Sequence, residues 1–254
     1  TAPCVEGSVA PVKDWIYGFF MAWGMFLAVP CPLKIWNEKA RGKMICCLPL
    51  VGFVVGGIWV LAAYAGRFLP RSVAGLLIAA APWLTTGFLH LDGFMDVCDA
   101  VLSRRDLPRR QEILKDSHCG AFAVISMVLL ALSQWSFAMA REELPLLPLL
   151  LIPAASRACA ALAVLTLRPM QTSQYADMRE KKTPYVVFAA VVMAAAALGP
   201  LALWGSPAPL AAALGYWLAV WYADRQLGGM SGDVSGFALT LGELCGLAVL
   251  TLVR

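Results

Sequence analysis

Charge is what this sequence has least of. Asp, Glu, Lys and Arg make up only 14% of its 254 residues, against roughly 25% in an ordinary soluble domain. A fold of this size could not cover a water-facing surface with so few charges, which excludes a soluble globular enzyme. The same shortage excludes disorder, because disordered chains are polar and charge-rich. Histidine occurs only twice, and the eight cysteines include no Cys-x-x-Cys pair. Neither a zinc site nor a disulfide framework is indicated. The polar tail 1–14 lacks the basic start and adjoining apolar stretch of a cleavable signal peptide.

What is present is apolar length. Hydrophobic residues make up 60% of the chain and the mean hydropathy is +0.72. A bilayer-spanning helix needs about 20 mostly apolar residues. Seven stretches qualify: 44–65, 72–89, 120–140, 145–166, 184–204, 208–223 and 236–253. An earlier run, 15–30, stops at Val29-Pro30-Cys31-Pro32, where prolines prevent a helix from continuing. It spans, lies in the interface or re-enters. The expected fold is all-α: one polytopic membrane helical bundle over 1–254, with about seven transmembrane helices plus that N-terminal segment.

Basic residues divide unevenly among the connections. Segments 34–43, 90–119, 168–182 and 224–235 carry most of them, whereas the alternate connections and the C-terminus hold only Arg67, Arg71, Arg141 and Arg254. By the positive-inside rule the richer segments face the cytoplasm. Every unusual polar motif then falls on one side.

The most informative of these motifs is His90-Leu91-Asp92-Gly93-Phe94-Met95-Asp96-Val97-Cys98-Asp99. Asp92, Asp96 and Asp99 are spaced i, i+4, i+7, which puts three carboxylates on one helix face. Such a stripe is self-repelling unless solvated or shared by a cation. Mg2+ suits it, since that ion takes hard oxygen ligands and completes its shell with phosphate and water. The plain alternative is an exposed acidic turn.

Lys115-Asp116-Ser117 precedes an apolar run, with Ser117 placed to cap it. It is either an ordinary helix start or a corner that contacts phosphate and metal. Gly228-Gly229-Met230-Ser231-Gly232-Asp233 allows backbone N–H groups close to an anion through Gly229 and Gly232, with Asp233 as a further ligand. Alone it reads equally as a tight interhelical turn. Arg157 and Glu243 lie inside apolar runs, where ionisable residues are functional candidates by default. Arg157 either clamps a phosphate bidentately or pairs with Glu243 or an aspartate. His90 is a metal ligand, an acid–base group or a satisfied structural histidine.

Taken in order, these motifs resemble those of the cobalamin synthase family. The resemblance runs from near residue 19 to the C-terminus. It covers Val29-Pro30-Cys31-Pro32, Arg41-Gly42 with Pro49-Leu50-Val51-Gly52, His90 to Asp99, Glu112 to Gly120, Ser156-Arg157, and Gly228 to Gly236 with Glu243. Departures are Phe88 in place of a glycine, His118 in place of an arginine, Ser231 in place of a threonine, and Thr240 where an acidic residue is common.

The resemblance implies a bacterial inner-membrane enzyme whose active-site loops face the cytoplasm. It implies Mg2+-dependent transfer of the adenosylcobinamide phosphate from adenosylcobinamide-GDP to the 5′-hydroxyl of α-ribazole, or to α-ribazole 5′-phosphate, with release of GMP. Asp92, Asp96, Asp99, Asp116 and Asp233 would hold metal or accept the proton. Arg41, His90, Lys115, Arg157, Gly229, Gly232 and Glu243 would bind substrate. Membrane lipid, a second copy of the chain or other cobalamin-assembly enzymes are the implied partners; nucleic acid is not.

Two readings compete. A CDP-alcohol phosphotransferase also uses aspartates at the membrane edge, but this chain lacks the arginine that would follow Gly93 and its final aspartate spacing is three. A cation transporter using Asp92, Asp96 and Glu243 would need broken helices meeting at the bilayer midplane.

Overall fold

The computed structural model describes residues 11–141, 143–170 and 183–253. Arg179, Lys181, Lys182 and Arg254, all counted in the topology reading, lie outside the described residues, as does most of the N-terminal tail. The elements are α1 (Pro11–Phe26), a short 3-10 turn (Glu38–Ala40), α2 (Arg41–Cys46), α3 (Leu48–Gly66), α4 (Arg71–Thr85), α5 (Leu89–Leu102), α6 (Leu107–Ile113), α7 (Ala121–Met139), α8 (Leu146–Thr166), α9 (Thr183–Trp204), α10 (Ala208–Leu227) and α11 (Gly232–Leu252). Among the described residues there is no strand; one isolated bridge joins Pro169 and Met230.

Among the described residues, five helices are long and apolar enough to cross a membrane: α3, α7, α8, α9 and α11. Counting α4 and α5 as one bent span makes six. Two of the seven expected runs fall short of that test. The run at 72–89 becomes a helix of only 15 residues, about 22 Å long at 1.5 Å per residue, and bends by 92° into α5. The run at 208–223 becomes α10, whose last turn carries Asp224 and Arg225. It nevertheless lies antiparallel along α11, with Ala212 and Tyr216 against Gly242.

The bend between α4 and α5 has a local cause. Gly87 and Phe88 both adopt left-handed backbone, at φ 59° and 64°, which ends one helix and starts the next in a new direction. Glycine accepts that conformation freely; phenylalanine does so at a cost.

Close packing of small residues builds the centre. On α3, Gly52 and Gly56 form a Gly-x-x-x-Gly stripe that rests on the α8 backbone at Pro153, Ala154 and Leu150. In lipid, where apolar side chains gain little by burial, such close backbone approach is a main source of helix association. The spans α8 and α11 have 78% and 72% of their apolar windows buried, whereas α7 and α9 have 22% and 17%. The bundle is therefore a buried α3–α8–α11–α10 centre with α7 and α9 outside it.

The ends of the bundle sort as the charge pattern predicts. At one end, Gly42 packs on Tyr185 at the start of α9, Gly120 packs on Asp99, and Met230 bonds Arg168 and Met170. At the other, Arg71 donates to the Met139 carbonyl, Arg141 to that of Leu250, and Arg67 faces Glu143. The start of α1 is tied to α2 through Asp14–Lys43 at 2.7 Å. Just beyond its end, Ala28 donates to Thr85 at the close of α4. Lys43 and Thr85 both belong to the first end, so α1 lies across that end and does not pass through the bundle.

Candidate active site

The motif-bearing end of the bundle contains a cavity of about 200 Å3. Each wall has a simple origin in helix geometry. Arg157, Ala160 and Val164 come from α8, and Gly232, Ser235 and Leu239 from α11. Both sets are spaced i, i+3, i+7 and so share one face. Leu89, His90 and Asp92 enter from the start of α5, with Asp233 beside Gly232. Met25 and Phe26 of α1, Ile45 of α2 and Leu48 of α3 complete the apolar lining.

The bend at Gly87-Phe88 sets α5 across the N-terminus of α11. A Cβ on Gly93 would fall 2.8 Å from the Asp233 Cα, and one on Gly236 would meet the His90 carbonyl at 3.0 Å. The Thr240 hydroxyl donates to that carbonyl at 3.3 Å. These contacts join Asp233 to the α5 aspartates. The helix α5 lies outside the five apolar spans, and burial pushes the Asp96 carboxyl up to about 6, reinforced by Asp92, Asp233 and Asp99. Asp99 in turn lies against Gly120 at the start of α7. Four of the five expected carboxylates are thus close enough to act on one another.

The fifth is elsewhere. Asp116 accepts from the His118 backbone N–H and contacts its Nδ1 at 2.6 Å. Those bonds hold its carboxyl below the usual range. Lys115 is exposed near it. Ser117 does not cap α7: the helix starts after Gly120, without a side-chain cap, because three residues separate Ser117 from its first turn. Arg41 is paired with Glu38 at 3.2 Å and does not line the cavity. Gly232 opens onto the cavity, but Gly229 does not. Its backbone is pressed against Met170, and Met230 is bonded to Arg168 and Met170 on either side. At Gly229 the tight-turn reading holds.

Arg157 pairs with Glu243 through Nη1 and Oε1. Arg157 Nη1 also donates to the Pro153 carbonyl at 3.3 Å, and Ser156 Oγ donates to Glu243 at 3.2 Å. Yet Arg157 also lines the cavity, and among the described residues its Nε and Nη2 are buried without a partner, as is Nε2 of His90. The guanidinium therefore serves an ion pair through Nη1, while its Nε and Nη2 are sealed from the cavity. Sequence reasoning missed Ser235, whose hydroxyl lies 3.3 Å from that of Tyr216, and all the apolar lining. The only signal for the contribution of α1 was the proline pair that ends its apolar run.

Among the described residues, no three His, Cys, Asp or Glu side chains already form a metal-holding group. The donor set still fits Mg2+, which needs only one or two carboxylates when phosphate oxygens and water supply the rest. The crowding felt by Asp96 is what a shared cation would relieve.

The profile of the cobalamin-5-phosphate synthase family matches residues 18–251. The chain belongs to that family. An adenosylcobinamide-GDP ribazoletransferase of Clostridium botulinum (strain Alaska E43 / Type E3) is 35% identical over 93% of this chain and 97% of its own length. One from Clostridium perfringens (strain 13 / Type A) is 34% identical over 92% and 96%. One from Geobacillus thermodenitrificans (strain NG80-2) is 33% identical over 89% and 92%. No solved structure matches. Membership bears out the resemblance seen in the motifs, and with it an integral membrane enzyme of cobalamin assembly.

Proposed function

We propose that this protein is a Mg2+-dependent adenosylcobinamide-GDP ribazoletransferase of the bacterial inner membrane, with its site at the cytoplasmic face. The observation that carries the reading is the mutual approach of Asp92, Asp96, Asp99 and Asp233 beside a cavity whose wall includes Arg157 and His90. The relatives' names supply the substrates.

Phosphoryl transfer asks for charge neutralisation and in-line positioning more than covalent help. Asp92, Asp96, Asp99 and Asp233 would hold Mg2+, which when bound neutralises charge on the phosphates. One of these carboxylates would accept the proton of the attacking hydroxyl. The N-terminus of α11 at Gly232 offers N–H groups toward an anion.

One expectation changes. The family's stated product is a cobalamin 5-phosphate, which already carries a phosphate at that ribose carbon. The attacking group is then a different ribose hydroxyl, and the 5′-hydroxyl is left free or phosphorylated. The transporter reading loses its intramembrane carboxylate, since Glu243 is engaged by Arg157 and Ser156.

The test is to incubate purified protein with adenosylcobinamide-GDP and α-ribazole or its 5′-phosphate, with and without Mg2+, and to measure GMP and corrinoid product. GMP release that needs both acceptor and Mg2+ supports the reading. Its absence with both acceptors refutes it.

A further inference from the structure

We propose that Gly120 is a positioning residue for the aspartate cluster: by carrying no side chain, it lets the Asp99 carboxylate lie against the start of α7. This rests on the reading above that the aspartates hold Mg2+.

Glycine often marks a place where the backbone needs a freedom that other residues lack. Gly120 has no such need. Its φ of −89° and ψ of 171° are extended values open to any residue. What singles it out is space. A Cβ built there would overlap both carboxylate oxygens of Asp99 and its carboxyl carbon. The close approaches of Gly52, Gly56, Gly93 and Gly236 are to backbone atoms of a facing helix, so helix packing accounts for them. At Gly120 the neighbour is the charged group of a side chain.

The place suits an anion. The helix α7 begins at Ala121, and its first N–H groups have no partner within the helix. A negative charge is favoured beside them. On the same two helices, Ser126 of α7 lies against the thiol of Cys98, the residue before Asp99. That contact fixes α7 on α5, so a larger residue at 120 could not be absorbed by the helices parting. The carboxylate would have to turn instead. An aspartate side chain has only two rotatable bonds and can turn at little cost to the fold. Asp99 is also close enough to Asp96 for their charges to act on one another, so its displacement alters the cluster. Enlarging Gly120 should therefore disturb the metal site and leave the bundle folded.

The test uses the full chain in detergent, without substrate. Mg2+ alone is titrated while thermal unfolding is followed in wild type, Gly120→Ala, Asp99→Ala and the double variant. Gly57→Ala, at a glycine that faces open space, is the control. Groups that orient metal ligands typically contribute about 10–100-fold to metal affinity. Gly120→Ala should thus need at least roughly tenfold more Mg2+ for the same stabilisation, with a metal-free melting temperature near that of wild type. With Asp99→Ala the colliding carboxylate is gone, so Gly120→Ala should add no further loss in that background. A Mg2+ response of Gly120→Ala equal to that of wild type would overturn the proposal. So would a loss that adds in full to that of Asp99→Ala. Should Gly120→Ala melt early without metal, Asp99→Ala must restore it, and a double variant no more stable than Gly120→Ala also overturns the proposal. If wild type itself gains no stability from Mg2+, the metal reading of the aspartates falls and this inference with it. A normal wild-type response beside an unaffected Gly120→Ala removes this inference alone.

Discussion

Arg157 and Glu243 allow the two roles of one buried guanidinium to be separated by measurement. The pair is almost wholly enclosed, at 2% and 6% exposure. Changing Arg157 to Leu leaves Glu243 with a single hydrogen bond, from Ser156. Among the described residues, changing Glu243 to Leu leaves Arg157 with only the Pro153 carbonyl. Removing one partner of a buried ion pair typically costs about 3–5 kcal/mol, while replacing both with apolar groups is often neutral. Each single variant should therefore melt well below wild type in detergent, and Arg157→Leu with Glu243→Leu should recover most of the loss.

Turnover should not follow stability. Arg157 also lines the cavity, and a hydrogen bond from a charged donor contributes about 1.5–3 kcal/mol. The double variant should thus remain roughly ten- to a hundredfold down in kcat/KM for α-ribazole. Arg157→Lys, which keeps the charge but loses the planar fork, should fold well and be similarly impaired. Thermal unfolding and GMP release on the same preparations decide the matter. If the double variant regains wild-type turnover along with stability, Arg157 is purely structural and the reasoning fails.

Three more outcomes are expected. Phe88→Gly should stabilise the protein by about 0.5–1 kcal/mol, since relief of a left-handed residue, about 1–2 kcal/mol, exceeds the entropy cost of glycine; a lower melting temperature would contradict the bend's backbone origin. The native state holds the Asp96 proton more tightly than the unfolded chain does, so metal-free stability should fall as pH rises from about 4 through 6. Added Mg2+ should reverse the loss at pH 7, and Asp96→Asn should abolish both the pH dependence and most turnover; a flat pH profile in wild type would count against the crowded carboxylates. Single cysteines at Asp106 and Ser206 in a cysteine-free background should be labelled from opposite sides of the membrane, and labelling from one side would overturn the assignment of bundle ends.

Much of the site was legible because it is local. The spacing of Asp92, Asp96 and Asp99 is a property of one helix, and the basic connections sort by side without knowledge of packing. What escaped the sequence depends on distant residues meeting. Nothing at Arg157 specifies Glu243 over an aspartate; their pairing follows from α8 and α11 crossing at that depth. Asp116 looks like Asp92 in composition, yet a nearby histidine claims it. Gly229 and Gly232 belong to one motif, but only Gly232 opens onto the cavity, because Met170 occupies the space against Gly229. The Gly52–Gly56 stripe was visible, but its meaning required knowing that α8 lies against it. Span counting failed where geometry intervened, at the 92° turn after α4.

The contrast between the inner and outer helices has a mechanical consequence. A bilayer whose thickness changes with temperature or growth pushes first on the surfaces it touches, and those belong largely to α7 and α9. The walls of the cavity come from α8 and α11, which lipid scarcely reaches and which are locked to their neighbours by backbone-to-backbone contact at Gly52, Gly56 and Gly242. Such a centre moves as one piece while the periphery tilts around it. The spacing between Arg157 and the aspartates should therefore be insulated from the changing membrane in which the enzyme sits.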